Sequence, residues 1–239
     1  MQLIIHGRVE VNGRKEHNPH RWIDLLHDKI SIDGTRLQER KKIYLLLHKP
    51  RGVVTTASDE KGRQTVLDLV GPASSWMFPV GRLDKESSGL LLVTNDHELA
   101  NRLTDPHSDI DKKYIVETDK PIQREHLAKL GQGVVIMING QPYRTKPART
   151  RLLGKSQVEI TITEGKNRQL RRMFEHLGYE VVTLHRVAVG PLNLGNLRAG
   201  ESRPLSEREI SELSHLKERA LPRQYRDVGK HSPRHAEHH

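Results

Sequence analysis

The sequence predicts an α+β protein built on a largely antiparallel sheet, and three observations lead there. Short alternating runs recur, as in Lys113-Tyr114-Ile115-Val116-Glu117-Thr118 and Val158-Glu159-Ile160-Thr161-Ile162-Thr163, the period-2 signature of half-buried strands. Turn dipeptides close several of them: Asn12-Gly13, Asp33-Gly34 and Asn139-Gly140. Helical periodicity is confined to a few short segments. Many strands with few helices between them favour α+β over a parallel α/β sheet.

The elements follow in order. Val9-Glu10-Val11 and Lys29-Ile30-Ser31-Ile32 are short strands ending in tight turns, so residues 1–40 form a small basic module with little core. Residues 38–42 read as a linker. Ile43 to Leu47 is a buried strand, Lys49-Pro50-Arg51-Gly52 a turn, and Val53 to Thr56 a β-prone run. Thr65 is placed to cap a short helix through Val70, stopped by Gly71-Pro72. Leu90 to Val93 is an apolar strand. Asn95 or Asp96 caps a helix from His97 to Leu103. Pro121 suits the first turn of a helix carrying Ile122, Leu127 and Leu130. Val134 to Ile138 is a further strand.

The best-defined helix spans Arg168 to Leu177, with Leu170, Met173, Phe174 and Leu177 on one apolar face. Asn167 is its expected N-cap and Gly178 its stop. Ser206 and Glu209 form a capping box, with Leu205 and Ile210 as a staple. Beyond Leu216 the chain turns basic and loses its apolar period, so 217–239 is expected to be a disordered tail.

Composition narrows the function classes. The 239 residues suffice for one sizeable domain plus a small one. Lys and Arg outnumber Asp and Glu by 40 to 30, a formal charge of +10 that points to a polyanionic partner such as nucleic acid. There is no cysteine, which excludes disulfides and thiolate metal sites. No apolar run reaches the ~18 residues that span a bilayer, and the N-terminus lacks a signal-peptide layout. The expectation is a cytoplasmic protein away from the membrane.

One carboxylate stands out. Asp84 lies two residues after Arg82, between the apolar segments Met77 to Val80 and Leu90 to Val93. An acid placed so is costly to bury unless it is paired or used. If the segment is extended, Arg82 and Asp84 point the same way. A sheltered carboxylate needs a cation, and the helix starting at Arg168 offers one. At ~100° per residue, Arg171 borders the apolar stripe, whereas Arg168 and Arg172 lie further round toward solvent. Arg171 is thus the arginine expected to reach inward. For Arg168 and Arg172, a solvated face and a nucleic-acid contact are equally compatible with the pattern.

The string Gly81-Arg82-Leu83-Asp84-Lys85-Glu86-Ser87-Ser88-Gly89-Leu90-Leu91-Leu92-Val93-Thr94-Asn95-Asp96 resembles the signature of the pseudouridine synthases, in the branch named for RsuA and RluB. The likeness runs from about Lys42 to Leu213, with Ser87 where a Thr is common. It implies a mixed, largely antiparallel pseudouridine synthase fold over residues 41–216, with Asp84 as the catalytic residue. The string Glu164 to Met173 resembles the family's late motif, in which Arg171 holds the place of the basic partner of the catalytic Asp. Lys112-Lys113-Tyr114-Ile115-Val116 is similar to a family strand whose Tyr stacks on the target base. This assigns stacking to Tyr114 and basic contacts to Lys113. The resemblance makes Arg82 an aid to base flipping, a step that costs a few kcal/mol. Leu184 would pack against the uracil site, while Arg186 is either structural or phosphate-binding. Lys49 and Arg51, in His48-Lys49-Pro50-Arg51-Gly52, match the family's first motif and are either a turn or an RNA contact. Residues 1–40 look like the C-terminal part of an S4-like RNA-binding module whose opening helices are almost absent.

The implied activity is isomerisation of one uridine in ribosomal RNA, 23S before 16S, by a monomer without cofactor or metal. Ribosome assembly intermediates are a further candidate substrate. Two rivals stay open: a non-catalytic RNA-binding or ribosome-assembly protein on the same fold, and a nucleoside or glycoside hydrolase. The hydrolase would want a second carboxylate, for which Glu86 and Asp96 are the nearby candidates.

Overall fold

A computed structural model describes residues 2–24, 27–37, 41–56, 59–71 and 76–220. The chain divides into two compact units, Met1–Lys41 and Lys42–His239.

The first unit starts with the one-turn helix α1 (Gln2–Ile5) and continues in four short strands: β1 (Val9–Val11), β2 (Arg14–Glu16), β3 (Ile30–Ile32) and β4 (Thr35–Arg36). They form an antiparallel sheet in the order β2-β1-β3-β4. Asn12-Gly13 and Asp33-Gly34 both take left-handed backbone, at φ 54 and 76 and φ 50 and 76. The hairpin reading required this conformation. Val11 is the unit's buried hydrophobic residue among those described. Polar ties make up part of the difference, among them a two-pronged Arg8–Asp33 pair and the Asn12–Asp28 bond.

The second unit is built on one large mixed sheet. Its elements are β5 (Tyr44–Lys49), β6 (Phe78–Pro79), β7 (Ser88–Thr94), α2 (His97–Thr104), β8 (Lys112–Thr118), α3 (Arg124–Gln132), β9 (Val135–Ile138), β10 (Gln141–Arg144), β11 (Arg149–Gly154), β12 (Gln157–Ile162), α4 (Gln169–His176), β13 (Val181–Val189), β14 (Leu192–Asn193), β15 (Ser202–Pro204) and α5 (Glu207–Ala220). The main order is β11-β12-β8-β13-β7-β5-β15. The recorded pairings are antiparallel except β7 with β13.

Both faces are covered. Leu47, Leu91, Val93, Tyr114, Val116 and Leu184 pack with Leu170, Met173 and Phe174 of α4. Leu46, Leu90 and Leu92 pack with α2 and with Leu205 and Leu213. A strand buried on both faces reads as a continuous apolar run, which is why Leu90 to Val93 shows no alternation.

Several elements depart from expectation. Thr65 to Val70 is a turn, in which the Asp68 carboxylate accepts from the backbone N and Oγ1 of Thr65 at 2.7 and 3.0 Å. A segment this short does not recover the cost of nucleating a helix. Pro121 lies outside α3, because the Ile122 N–H is already given to the Lys155 carbonyl at 2.8 Å. Val53 to Thr56 forms only an isolated bridge, Val54 to Thr65. The capping box at Ser206 and Glu209 forms in both directions, and α5 continues past Leu216 to Ala220. The expected disordered tail otherwise lies outside the described residues.

Candidate active site

β5 occupies one edge of β7 from Gly89 to Thr94. The parallel β13 and the antiparallel β6 must therefore share the other edge. β13 pairs there at Ser88 and Gly89, β6 at Val93 and Thr94. Between them the sheet splits, and the loop joining β6 to β7 carries Asp84 across the gap. A cleft of about 960 Å³ opens at this place, lined among others by Arg82, Asp84, Tyr114, Arg168, Leu184 and Arg186.

The Asp84 loop is clamped from beneath. Lys49 is 0 % exposed. Its Nζ lies within hydrogen-bond distance of the carbonyls of Ser87, Pro50, Asp84 and Lys85, at 2.8, 3.0, 3.2 and 3.4 Å. Burial pushes its ammonium down to about 8, against the opposing pull of Asp84 and Glu86. Thr55 Oγ1 donates to the Leu83 carbonyl at 2.8 Å and accepts from the Leu83 N–H at 3.3 Å. Leu83 is thereby turned into the core, while Arg82 stays exposed and Asp84 is half-buried.

The floor comes from the sheet. Lys49, Gly89, Arg186 and Tyr114 are paired in sequence across four strands. Directly paired residues share a face, so they form one row. Gly89 is its narrow point: at φ 109, an added Cβ would lie 2.2 Å from the Arg186 carbonyl. Only glycine lets β7 and β13 meet there. Tyr114, 7 % exposed, is set into this floor.

The opposite wall is the start of α4. Asn167 does not cap it. Its Oδ1 accepts from Arg172 at 3.2 Å instead, and Arg168 takes the N-cap position in the left-handed region at φ 50. Among the described residues, the other non-glycine positions with positive φ are Asn or Asp, for which that region is least costly. Arg168 lacks that excuse, and its Nη1 lies 3.9 Å from Asp84 Oδ2. Backbone strain at a site is kept where the surroundings overdetermine it. Arg171, expected to be the ion partner, gives its guanidinium to two carbonyls, Val181 at 2.8 Å and Glu86 at 3.2 Å. Burial, then Arg168, push it below its ordinary value while Asp84 opposes them. Arg171 does reach inward, as its place on the wheel implies, but it is Arg168 that lies within ion-pair distance of Asp84, because Arg168 precedes the first helical residue and the helical angle does not govern its direction.

A family description, RNA pseudouridylate synthase, matches residues 43–176. The chain belongs to the RNA pseudouridylate synthase family. Members of that family are isomerases. Ribosomal large subunit pseudouridine synthase B of Bacillus subtilis is 38 % identical over 221 residues, covering 90 % of this chain and 88 % of the relative. Dual-specificity RNA pseudouridine synthase RluF of Salmonella typhi is 33 % identical over 218 residues, covering 90 % and 73 %. A crystal structure of a pseudouridylate synthase superposes with a TM-score of 0.68 at 32 % identity, covering 89 % of this chain and 91 % of that one.

Within this family member, Asp84, Arg82, Tyr114, Leu184 and Arg168 share the cleft. Three other candidates sit elsewhere. Lys49 is a buried clamp with no surface to offer RNA. Arg51 lies at the exposed surface, 3.5 Å from Glu86. Lys113 points to the opposite face of β8, 3.9 Å from Glu159, because neighbours on a strand face opposite ways. It is Lys112 that lines the cleft. Neither acid considered as a second carboxylate reaches it: Glu86 meets Arg51, and Asp96 caps α2 and accepts from Tyr44 at 2.9 Å. The reading of the sequence missed Lys112, Thr55 and Lys146. Alternation counted from Tyr114 identifies the first; the other two carry no local signal.

Proposed function

We propose that the chain converts a uridine of ribosomal RNA to pseudouridine in this cleft, with Asp84 as the catalytic carboxylate. The observation that carries the reading is a carboxylate held on a clamped loop, facing Arg168, in one cleft with Tyr114. Asp84 attacks C1′ or removes the C2′ proton. Both routes break the C1′–N1 bond; the detached base turns and rejoins through C5 as Asp84 leaves C1′ or returns its proton to C2′, and C5 then gives up its own proton. Tyr114 stacks on the base, a contact worth roughly 1–3 kcal/mol. Leu184 bounds the uracil site and Arg171 fixes the wall behind Asp84.

Arg82, exposed at the mouth, fills the gap left by the flipped nucleotide. The N-terminal unit acts as the S4-like module and adds RNA affinity. The similarity to ribosomal large subunit pseudouridine synthase B favours large-subunit RNA as the substrate. The setting is the cytoplasm, and among the described residues no helix is long and apolar enough to cross a membrane.

The test is tritium release from 5-labelled uridine in 23S and 16S rRNA. Wild type should release tritium from one of them, and Asp84→Asn should lose on the order of 10⁴-fold in rate. Equal release by both proteins would remove Asp84 from its role. Free uracil as the product would favour the hydrolase.

A further inference from the structure

Negative charge moves during the proposed reaction, and the cleft is built for both ends of that movement. If Asp84 attacks C1′, its carboxylate becomes a neutral ester and the C1′–N1 electron pair leaves on the base. If Asp84 takes the C2′ proton, it becomes a neutral acid, a C1′–C2′ double bond forms, and the same pair leaves on the base. Either way one unit of negative charge passes from Asp84 to the uracil ring, where N1, O2 and O4 share it. Arg168 faces the start of this path. Two further cations face its end.

Lys112 lies two residues before Tyr114 on β8, and Arg186 pairs directly with Tyr114 from β13. All three side chains share one sheet face, and all three line the cleft. Arg186 is 5 % exposed. Its Nε donates to the Leu90 carbonyl at 2.8 Å, which leaves its Nη1 and Nη2 hydrogens for the cleft. Lys112 Nζ donates to the Ile110 carbonyl at 3.2 Å. Among the described residues neither cation has a carboxylate within 4.0 Å.

The acids in the neighbourhood are already engaged. Asp109 holds Lys146 and Asp111 holds Arg149, each at 2.5 Å. Glu164 accepts from Tyr143, Gln169 and the Lys146 backbone N–H. Burial and the Arg186 charge push the Lys112 ammonium below its ordinary value, with Asp109, Asp111 and Glu164 only partly opposing. Two cations on a sheltered wall without a protein anion are costly unless an anion arrives.

We infer that Lys112 and Arg186 form an anion-binding site for the detached uracil, donating to its ring oxygens as the C1′–N1 bond breaks. This rests on the function proposed above. Depth separates it from a phosphate site. Arg168 and Lys146 are about half-exposed at their side chains, 49 % and 45 %, and suit the RNA backbone at the mouth. Arg186 is buried and pairs with Tyr114 across the sheet, on the wall assigned to the base rather than to the backbone. Preorganised donors aimed at developing charge act strongly in a site that excludes water.

The test uses the full chain under single-turnover conditions. It compares RNA carrying uridine with RNA carrying 5-fluorouridine at the target, whose base is a better leaving anion. The reading is the rate of C1′–N1 cleavage for wild type, Lys112→Gln and Lys112→Arg. The expected result is a loss on the order of 10²-fold for Lys112→Gln with uridine, a clearly smaller loss with 5-fluorouridine, and substantial recovery in Lys112→Arg. An equal loss on both substrates with weaker RNA binding would mark Lys112 as a phosphate contact and overturn the inference. An unchanged rate in Lys112→Gln would also overturn it. Arg186→Lys, which keeps a cation at the second position, supplies an independent arm with the same expected substrate dependence. If wild type cleaves no C1′–N1 bond in any rRNA, the proposed function itself fails and the inference falls with it.

Discussion

The two faces of β8 treat their lysines in opposite ways. On one face, Lys113 meets Glu159, which also takes Arg151 at 3.2 Å, and nearby Arg149 meets Asp111. On the other face, Lys112 and Arg186 have no acidic partner among the described residues, beside the buried ring of Tyr114. The first face is a surface whose charges cancel locally. The second holds positive charge in reserve. The difference teaches that a net charge of +10 is a poor guide by itself, since what matters is where cations are left unmatched.

The comparison can be broken at graded levels. The largest expected effect lies on the cleft side, at the Lys49 clamp. Lys49→Met removes the donor shared by four carbonyls and should lower the turnover rate on the order of 10²-fold through misplacement of Asp84. Its stability has a pH signature. The folded chain holds this proton at about 8, against 10.5 for an ordinary lysine. Between those values the unfolded chain binds more protons, so folding stability rises with pH across that window. Urea unfolding at pH 7.5 to 10 should show wild type gaining on Lys49→Met as pH rises. A constant difference would mean the Lys49 charge is not penalised by burial.

A smaller effect is expected at Arg168. Arg168→Gly relieves left-handed strain of about 1–2 kcal/mol but gives back part of it as chain entropy, and the half-exposed ion pair contributes little. The net expectation is a protein slightly more stable in thermal unfolding, by about 0.5 kcal/mol, yet slower in tritium release. Lower stability together with full activity would show that the strained conformation serves packing alone. The smallest effect belongs to the outer face. Lys113→Ala should change stability by less than about 0.5 kcal/mol and leave the rate within a few-fold. A loss comparable to that of Lys112→Gln would erase the distinction between the faces.

Much of this was legible along the chain. The turn dipeptides at Asn12 and Asp33, the apolar face of α4, the capping box at Ser206 and the placement of Asp84 all rest on neighbours within a few residues. The misses share a cause. Lys49 looked like a surface lysine in a turn because its carbonyl partners arrive from residues 84 to 87. The close approach of Arg168 to Asp84 was not visible because a helical wheel does not describe the residue before the first helical turn. Lys113 was preferred to Lys112 because it is next to Tyr114 in the chain, although neighbours on a strand face opposite ways.

The sequence by itself determined the fold class, the family and the loop that carries Asp84, since each depends on local periodicity or on a contiguous string. Only the tertiary structure decided which cation faces Asp84, which lysine enters the cleft and which one disappears beneath the loop. Those choices depend on the split between β6 and β13 along β7, on the close approach at Gly89 and on a left-handed turn at Arg168. Each brings together groups far apart in the chain, and burial then separates charges that are cancelled from charges that are left for a substrate.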